Sequence, residues 1–329
     1  MIKKSFVIAS FAIVFVFGSC VSLSKTSFNI IEPSKVFIPH NFKNIVVVNA
    51  VNSKRTGSSE KELEQLLYLD SLAAENLVQG IMEGYNNSIF YNDTLLPYVR
   101  IIKSDTSYNA SLYTWKEIEA ICKKTNADLF LAIEYYRTEA KIDFKDYYFN
   151  VVVHPKVLLK IYDPVEYKLI DSYLYNDTLV WDYSFDEADN PPEQYKLLQE
   201  MVKSAGYWAG SEYVERIFPY WKNVNRFYYV NEHSEFKKAD YYIKSNEIEL
   251  AAKEWLKFTS SNDKTIAAHA CFNMAVAFEM LDHLDKALVW AEKSNKLQES
   301  SLSKKYVSAL KKRITDKEKL VKAKFISNE

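Results

Sequence analysis

Glycine is scarce in this chain. Only six glycines occur among 329 residues, where average usage of about 7% would give more than twenty. Loops that cradle phosphate groups and turns that present catalytic nucleophiles are both built from glycine. The composition therefore argues against a nucleotide-binding loop or a nucleophile elbow.

Cysteine and histidine are also few. Apart from Cys20, the cysteines are Cys122 and Cys271, which lie on apolar faces of two separate predicted helices. We expect buried thiols and no disulfide framework. The five histidines show no metal-ligand spacing, and neither HExxH nor CxxC occurs. The sequence predicts no metal site and no cofactor.

A cluster of acidic residues precedes Pro191 and raises the alternative of a calcium site. It consists of Asp182, Asp186, Glu187 and Asp189. The cluster lacks the glycine and the regular oxygen spacing of known calcium loops, so a solvated loop is the preferred interpretation.

Catalytic motifs and a strong charge are missing too. No GxSxG or SxxK run places a serine beside a recognisable base, and no acid and base pair can be recognised. We therefore expect a non-enzymatic protein and treat an unrecognised hydrolase as a third hypothesis. The formal charge is −1, so a nucleic-acid partner is not expected.

The N-terminus reads as a secretory signal, predicted for residues 1–19. Lys3 and Lys4 precede an apolar run from Phe6 to Phe17. This run is too short for a transmembrane helix, which needs roughly 20 apolar residues. Gly18 and Ser19 then lead directly into Cys20.

This ending resembles the bacterial lipoprotein box, although Phe17 stands where Leu or Val is usual. The resemblance implies cleavage before Cys20 and acylation of its thiol, so that the bilayer becomes a partner of the chain. A plain secreted protein and an uncleaved anchor are the alternatives. Residues 20–42 are predicted to be a lipidated linker. After Cys20 the linker reads "VSLSKTS". It lacks the acidic cluster typical of surface-exported Bacteroidota lipoproteins, which favours an outer-membrane protein that faces the periplasm.

Residues 43–217 predict an α/β domain. Buried strands such as "IVVVN" and "ADLFLAIEY" alternate with amphipathic helices. They are followed by a hairpin reading "VLLKIYDPVEYKLIDSY". We expect the closing helix to point Met201 and Trp208 inward. The glycine pairs in "GIMEG" and "GYWAG" predict close packing of helices on the sheet.

Together these segments resemble the α/β domain of envelope lipoproteins of the TolB N-terminal and CsgG type. The resemblance implies a non-enzymatic domain that docks onto envelope components. It does not extend to the CsgG pore, because His154, Lys156 and Lys160 would interrupt a lipid-facing apolar band.

Residues 218–325 predict an all-helical domain of tetratricopeptide type. Small residues recur where paired helices would touch, at Ala275 and Ala287, and a bulky one follows at Phe278. Ala251 and Ala287 are 36 residues apart, close to the repeat consensus of about 34. The closing helix is rich in Lys and Arg, which favours a solvated cap or, alternatively, contact with anionic headgroups or an acidic partner.

The whole chain thus predicts a mixed α+β fold, with an α/β sheet domain followed by helical repeats. It resembles an uncharacterised Bacteroidota lipoprotein family with a C-terminal tetratricopeptide-like region. Our first hypothesis is a membrane-anchored adaptor whose repeat groove receives a protein or peptide of the envelope. The predicted groove residues are His269, Phe272, Asn273, Val276, Glu279 and Met280. The alternative is a glycan or cell-wall binding lipoprotein that uses Tyr and Trp side chains of residues 207–229.

Overall fold

The computed structural model describes residues 22–36, 38, 44–51, 59–88, 98–100, 113–185, 190–231 and 233–322. It confirms the mixed α+β class. The strands are β1 (Ser22–Glu32), β2 (Ile45–Asn49), β3 (Tyr98–Arg100), β4 (Leu129–Phe144), β5 (Tyr148–Asp163), β6 (Lys168–Asn176), β7 (Leu179–Ser184) and β8 (Tyr220–Val230). The helices are α1 (Glu60–Asn86), α2 (Trp115–Thr125), α3 (Pro191–Ile217), α4 (Ser234–Lys244), α5 (Ile248–Leu256), α6 (Lys264–Met280), α7 (Leu284–Leu297) and α8 (Ser301–Lys322).

The described chain forms two compact units. The helical unit contains residues 223–315 together with the part of β1 up to Asn29, and the sheet unit contains residues 30–222 and those from Asp316 onward. The boundary predicted from the sequence lies between residues 217 and 218. Residues 20–42 were predicted to be a linker, whereas Ser22–Glu32 form a strand that pairs with β8.

The sheet unit is built on the strand order β3-β2-β4-β5-β6, with β7 added to β5. β2 pairs in parallel with β3 and β4, and the remaining pairs are antiparallel. Every residue of β2 is buried, because Val47 faces a core with α1 and α3 while Val46 and Val48 face a core with α2. A continuous apolar strand is what burial on both faces requires.

Helices α1 and α3 pack against each other at glycines. A Cβ atom built on Gly206 would lie 2.2 Å from the carbonyl oxygen of Ala73, and one on Gly80 would lie 2.1 Å from that of Tyr207. Such distances leave no room for a side chain. The glycines therefore serve helix-to-helix packing, and the expected helix-to-sheet packing is wrong at these positions.

In the helical unit, the turns α4–α5 and α6–α7 repeat the same geometry 36 residues apart. Asn246 and Asp282 both adopt left-handed backbone angles, with φ of 60° and 56°. The next residue in each turn donates its N–H to a carbonyl five positions back, Glu247 to Tyr242 at 2.8 Å and His283 to Phe278 at 2.9 Å. The internal repeat read from the alanine spacing is therefore also present in the backbone. Whether it is a tetratricopeptide repeat stays a prediction.

Candidate functional site

The predicted groove residues lie on α6, the most deeply buried helix of the helical unit. His269, Phe272, Asn273 and Val276 follow one another at helical spacing, and each is less than one tenth exposed. Glu279 is equally buried, whereas Met280 is half-buried. Most of the predicted residues thus lie on one face of α6, and another segment of the same chain covers that face.

Strand β8 lies directly on this face of α6. The amide nitrogen Nδ2 of Asn273 donates to the carbonyl oxygen of Tyr229 at 2.7 Å, and the backbone N–H of Tyr229 donates to Asn273 Oδ1 at 2.7 Å. The Tyr229 ring stacks on His269, with ring centroids 3.8 Å apart, and meets the edge of Phe272 at 5.3 Å. One asparagine thus holds both main-chain polar groups of a strand residue, which is how an extended peptide is bound independently of its side chains.

Glu279 is the centre of a buried ion-pair network. Its carboxylate accepts two bonds from Arg226, at 2.7 and 2.8 Å, and one from Arg313 at 3.0 Å. The Tyr306 hydroxyl donates a fourth at 2.8 Å. Burial, followed by the neighbouring Glu279 charge, raises the pKa of Tyr306 well above its usual value. A carboxylate with this many donors is held in place and is poorly suited to proton transfer.

The titratable groups on this face do not form a metal site. Burial lowers the pKa of His269, which favours its neutral form. Cys122 and Cys271 are both buried free thiols. Among the residues that the structure describes, no group of His, Cys, Asp or Glu could hold a metal ion. Of the acidic cluster before Pro191, Asp182 accepts a hydrogen bond from Asn150, and the other three residues lie outside the described part.

Cys20 and the signal segment lie outside the described residues, so their assignment rests on the sequence. What the structure adds is the position of β1, which begins at Ser22. Ser22 lies opposite Val230, to whose carbonyl its hydroxyl donates at 3.2 Å, and Asn29 accepts a bond from Asn223. β1 and β8 therefore form an antiparallel ribbon that starts two residues after Cys20.

A further feature, which the sequence patterns did not indicate, is an open cleft of about 360 Å³ in the sheet unit. Its long wall is a stripe of α3 with helical spacing, made of Trp208, Ser211, Glu212 and Glu215. Lys35, Arg216 and Tyr220 complete the lining. The expectation that Trp208 points inward is wrong, since 58% of its surface is exposed. The signal that could have located the cleft is the pair of glutamates near the C-terminus of a helix.

Arg216, which also lines the cleft, is held by neighbours of its own. Its guanidinium donates to both carboxylate oxygens of Asp171, at 2.9 and 3.0 Å, and lies 4.3 Å from the centre of the Tyr173 ring. Its charge is therefore neutralised. Burial and the nearby Glu212 raise the pKa of Glu215, while Lys222 and Lys35 only partly offset this. The cleft thus has a negative wall beside an exposed indole.

Comparison with known proteins gives a family. Residues 42–229, more than half of the chain, match the model of a domain of unknown function, DUF8603. The chain belongs to this family. Residues 237–312 match a second domain of unknown function, DUF6340. The search of curated proteins finds no significant match.

Parts of the chain are similar to two solved structures. One is a minor lipoprotein from Acinetobacter baumannii, with 11% identity over 52% of this chain and 90% of that chain and a TM-score of 0.25. The other is the PelC dodecamer from Paraburkholderia phytofirmans, with 14% identity over 59% of this chain and 99% of that chain and a TM-score of 0.22. Scores this low support no conclusion about function. Within the described residues, no helix has both the length and the apolar character needed to cross a bilayer.

Proposed function

We propose that this protein is a membrane-anchored lipoprotein of the cell envelope that acts as a non-enzymatic interaction module. The observation that carries the proposal is the sequence "FGSC" at the end of a short apolar signal segment. Acylation contributes about 0.8 kcal/mol per buried methylene, so several chains on Cys20 hold a protein at a bilayer permanently. An outer-membrane position facing the periplasm is part of the proposal, because no acidic export cluster follows Cys20.

The position of β1 supports a short and stiff tether. Two peptide steps separate Cys20 from Ser22, and they span at most about 7 Å. From Ser22 onward the chain is paired with β8, and β8 is bonded to α6 through Asn273. An acylated Cys20 would therefore keep the helical unit close to the membrane surface, on a tether shorter than the predicted linker of residues 20–42.

The buried carboxylates favour a structural role over a catalytic one. Glu279 is bonded to two arginines and a tyrosine. Glu134 accepts a bond from Tyr162 at 2.7 Å and pairs with Lys160 at 2.7 Å. Buried carboxylates with such partners serve packing and specificity. Interaction with another envelope protein is the function that remains best supported.

Partner binding by the predicted groove residues stays a prediction, with the condition that β8 already occupies their face of α6. The α6 face can hold an extended strand, since it holds β8. A partner peptide would have to displace β8 or bind elsewhere on the unit. Exposed side chains outside this face include Tyr241 on α4 and Leu250 on α5.

Site-specific photo-crosslinking in the native envelope tests the proposal. A crosslinking amino acid replaces Tyr241, which is 65% exposed in the helical unit, or Tyr147, which is 87% exposed in the sheet unit. We expect one discrete envelope protein to be crosslinked from at least one position and to recover this chain when it is purified reciprocally. The same crosslink should weaken in Cys20→Ser. An absence of discrete products at both positions would contradict an interaction role.

A further inference from the structure

The cleft beside Trp208 has the chemistry of a cation-binding site. Trp208, Glu212 and Glu215 line one wall. An indole face attracts a cation electrostatically, and the two carboxylates complement its charge. The guanidinium of Arg216 does not satisfy them, because Asp171 binds it on both oxygens.

The position of the two carboxylates costs the protein stability. α3 ends at Ile217, so Glu212 and Glu215 lie in its last two turns, where the helix carries negative partial charge. They are also three residues apart on one face, which brings like charges together. Positions that oppose local stability in this way are typical of functional sites.

We propose that this cleft binds the side chain of a lysine on a partner polypeptide. The ammonium group would lie between Glu212 and Glu215, and the alkyl chain would pack along Trp208 and Tyr220. The cleft is open to solvent, as a side chain that enters from a neighbouring protein requires. The inference deepens the proposed interaction role and rests on it.

A lysine explains the site better than a sugar does. The carboxylates and the negative end of α3 attract positive charge, and a neutral glycan brings none. A lysine has a flexible apolar stem and a compact charge, which match an open cleft with an aromatic wall and an acidic end. Glycan binding, the alternative from the sequence, becomes one outcome of the test.

The test is calorimetric titration of the full mature protein in detergent micelles. The probes are Nα-acetyl-lysine methylamide, its Nε-acetylated form, which has no charge, and the neutral sugar N-acetylglucosamine. We expect saturable binding of the lysine probe, with little binding of the acetylated lysine probe or N-acetylglucosamine. Glu212→Gln with Glu215→Gln should weaken the binding by roughly tenfold, and Trp208→Ala by about threefold.

Two matched variants serve as controls. Trp221 is 56% exposed and lies outside the cleft lining, and Glu200 on the same helix pairs with Lys203. Trp221→Ala and Glu200→Gln should bind the lysine probe like the wild type. Equal binding of the free and acetylated lysine probes, stronger binding of N-acetylglucosamine, or no saturable binding would overturn the proposal. None of these results depends on the anchor, so they are distinct from a failure of the crosslinking experiment.

Discussion

Asn273 holds both backbone polar groups of Tyr229, with two hydrogen bonds of 2.7 Å. Together with the ion pair between Arg226 and Glu279, this contact joins β8 to α6. Through β8 it also joins β1, the first described strand after the lipoprotein box. The N-terminal part of β1, which was predicted to belong to a linker, is therefore part of the folded helical unit.

Removal of this contact should destabilise the helical unit. Asn273 is fully buried, so Asn273→Ala leaves the N–H and C=O of Tyr229 without partners and shielded from water. Each unpaired group costs about 1–3 kcal/mol. We expect a loss of about 2–4 kcal/mol in the free energy of unfolding from urea denaturation, with faster hydrogen exchange at Tyr229. Asn223→Ala is the matched control, since Asn223 bonds Asn29 on the exposed side of the ribbon. Similar losses of stability in both variants would show that the two hydrogen bonds between Asn273 and Tyr229 contribute no more than an exposed side-chain contact.

Glu279→Gln should be among the most damaging polar substitutions in the helical unit. The neutral amide would leave Arg226, whose side chain is only 17% exposed, without a counter-charge. Arg313, which is 13% exposed, would keep only its ion pair with the exposed Asp282. Breaking a buried pair in this way costs about 3–5 kcal/mol. Glu292→Gln removes an exposed pair with Lys311 and should cost less than about 1 kcal/mol. Thermal and urea unfolding of the two variants provide the comparison, and equal stability would refute the network's role.

Two glycines on the α1–α3 contact should respond differently to alanine. Alanine normally stabilises a helix by about 1 kcal/mol over glycine. In Gly206→Ala the new methyl would collide with the backbone of Ala73, so we expect a net loss of about 1–3 kcal/mol. In Gly84→Ala the nearest atom is a side-chain atom of Val214 at 3.1 Å, so the change should be small. Denaturation curves that rank the two variants in the opposite order would contradict the packing described here.

Glu215→Gln should stabilise the protein at neutral pH and lose this effect in acid. Burial and Glu212 raise the pKa of Glu215, so its ionised form opposes folding above that pKa and its protonated form does not. We expect a gain of a few tenths of a kcal/mol at pH 7, about the size of a helix-end charge effect. The gain should disappear as the pH falls below the raised pKa of Glu215. Melting temperatures measured across pH 4–8 give the comparison, and a gain that persists in acid would exclude the electrostatic cause.

The sequence predicted those parts of the fold that depend on the periodicity of neighbouring side chains. The buried strands, the amphipathic helices and the 36-residue alanine spacing all follow from side-chain periodicity, and the mixed α+β class is confirmed. The β1 strand was not readable, because residues facing inward, such as Ser24 and Thr26, are polar. Its partner is also about 200 residues away, and no short-range pattern reports such a pairing.

The candidate site could be predicted only in part, because long-range contacts leave no short-range pattern in the sequence. Spacing correctly grouped His269, Phe272 and Asn273 on one face, but it could not show that β8 covers them. Trp208 was assigned inward because it falls at helical spacing with the apolar residues of α3. In the structure α1 approaches so closely that the small residues Gly206 and Ala209 fill the contact, and the indole is turned outward.

The central claim is that an acylated Cys20 anchors the chain, and mass analysis of the N-terminal peptide from native membranes tests it most directly. Cys122, whose pKa burial raises to about 12, and Cys271 are both buried, so neither should react quickly with a thiol reagent in the native protein. The account predicts a peptide that begins at Cys20 and carries acyl chains, and no fast-reacting thiol. A peptide with an unmodified Cys20 thiol, accompanied by one fast-reacting thiol in the native protein, would contradict it.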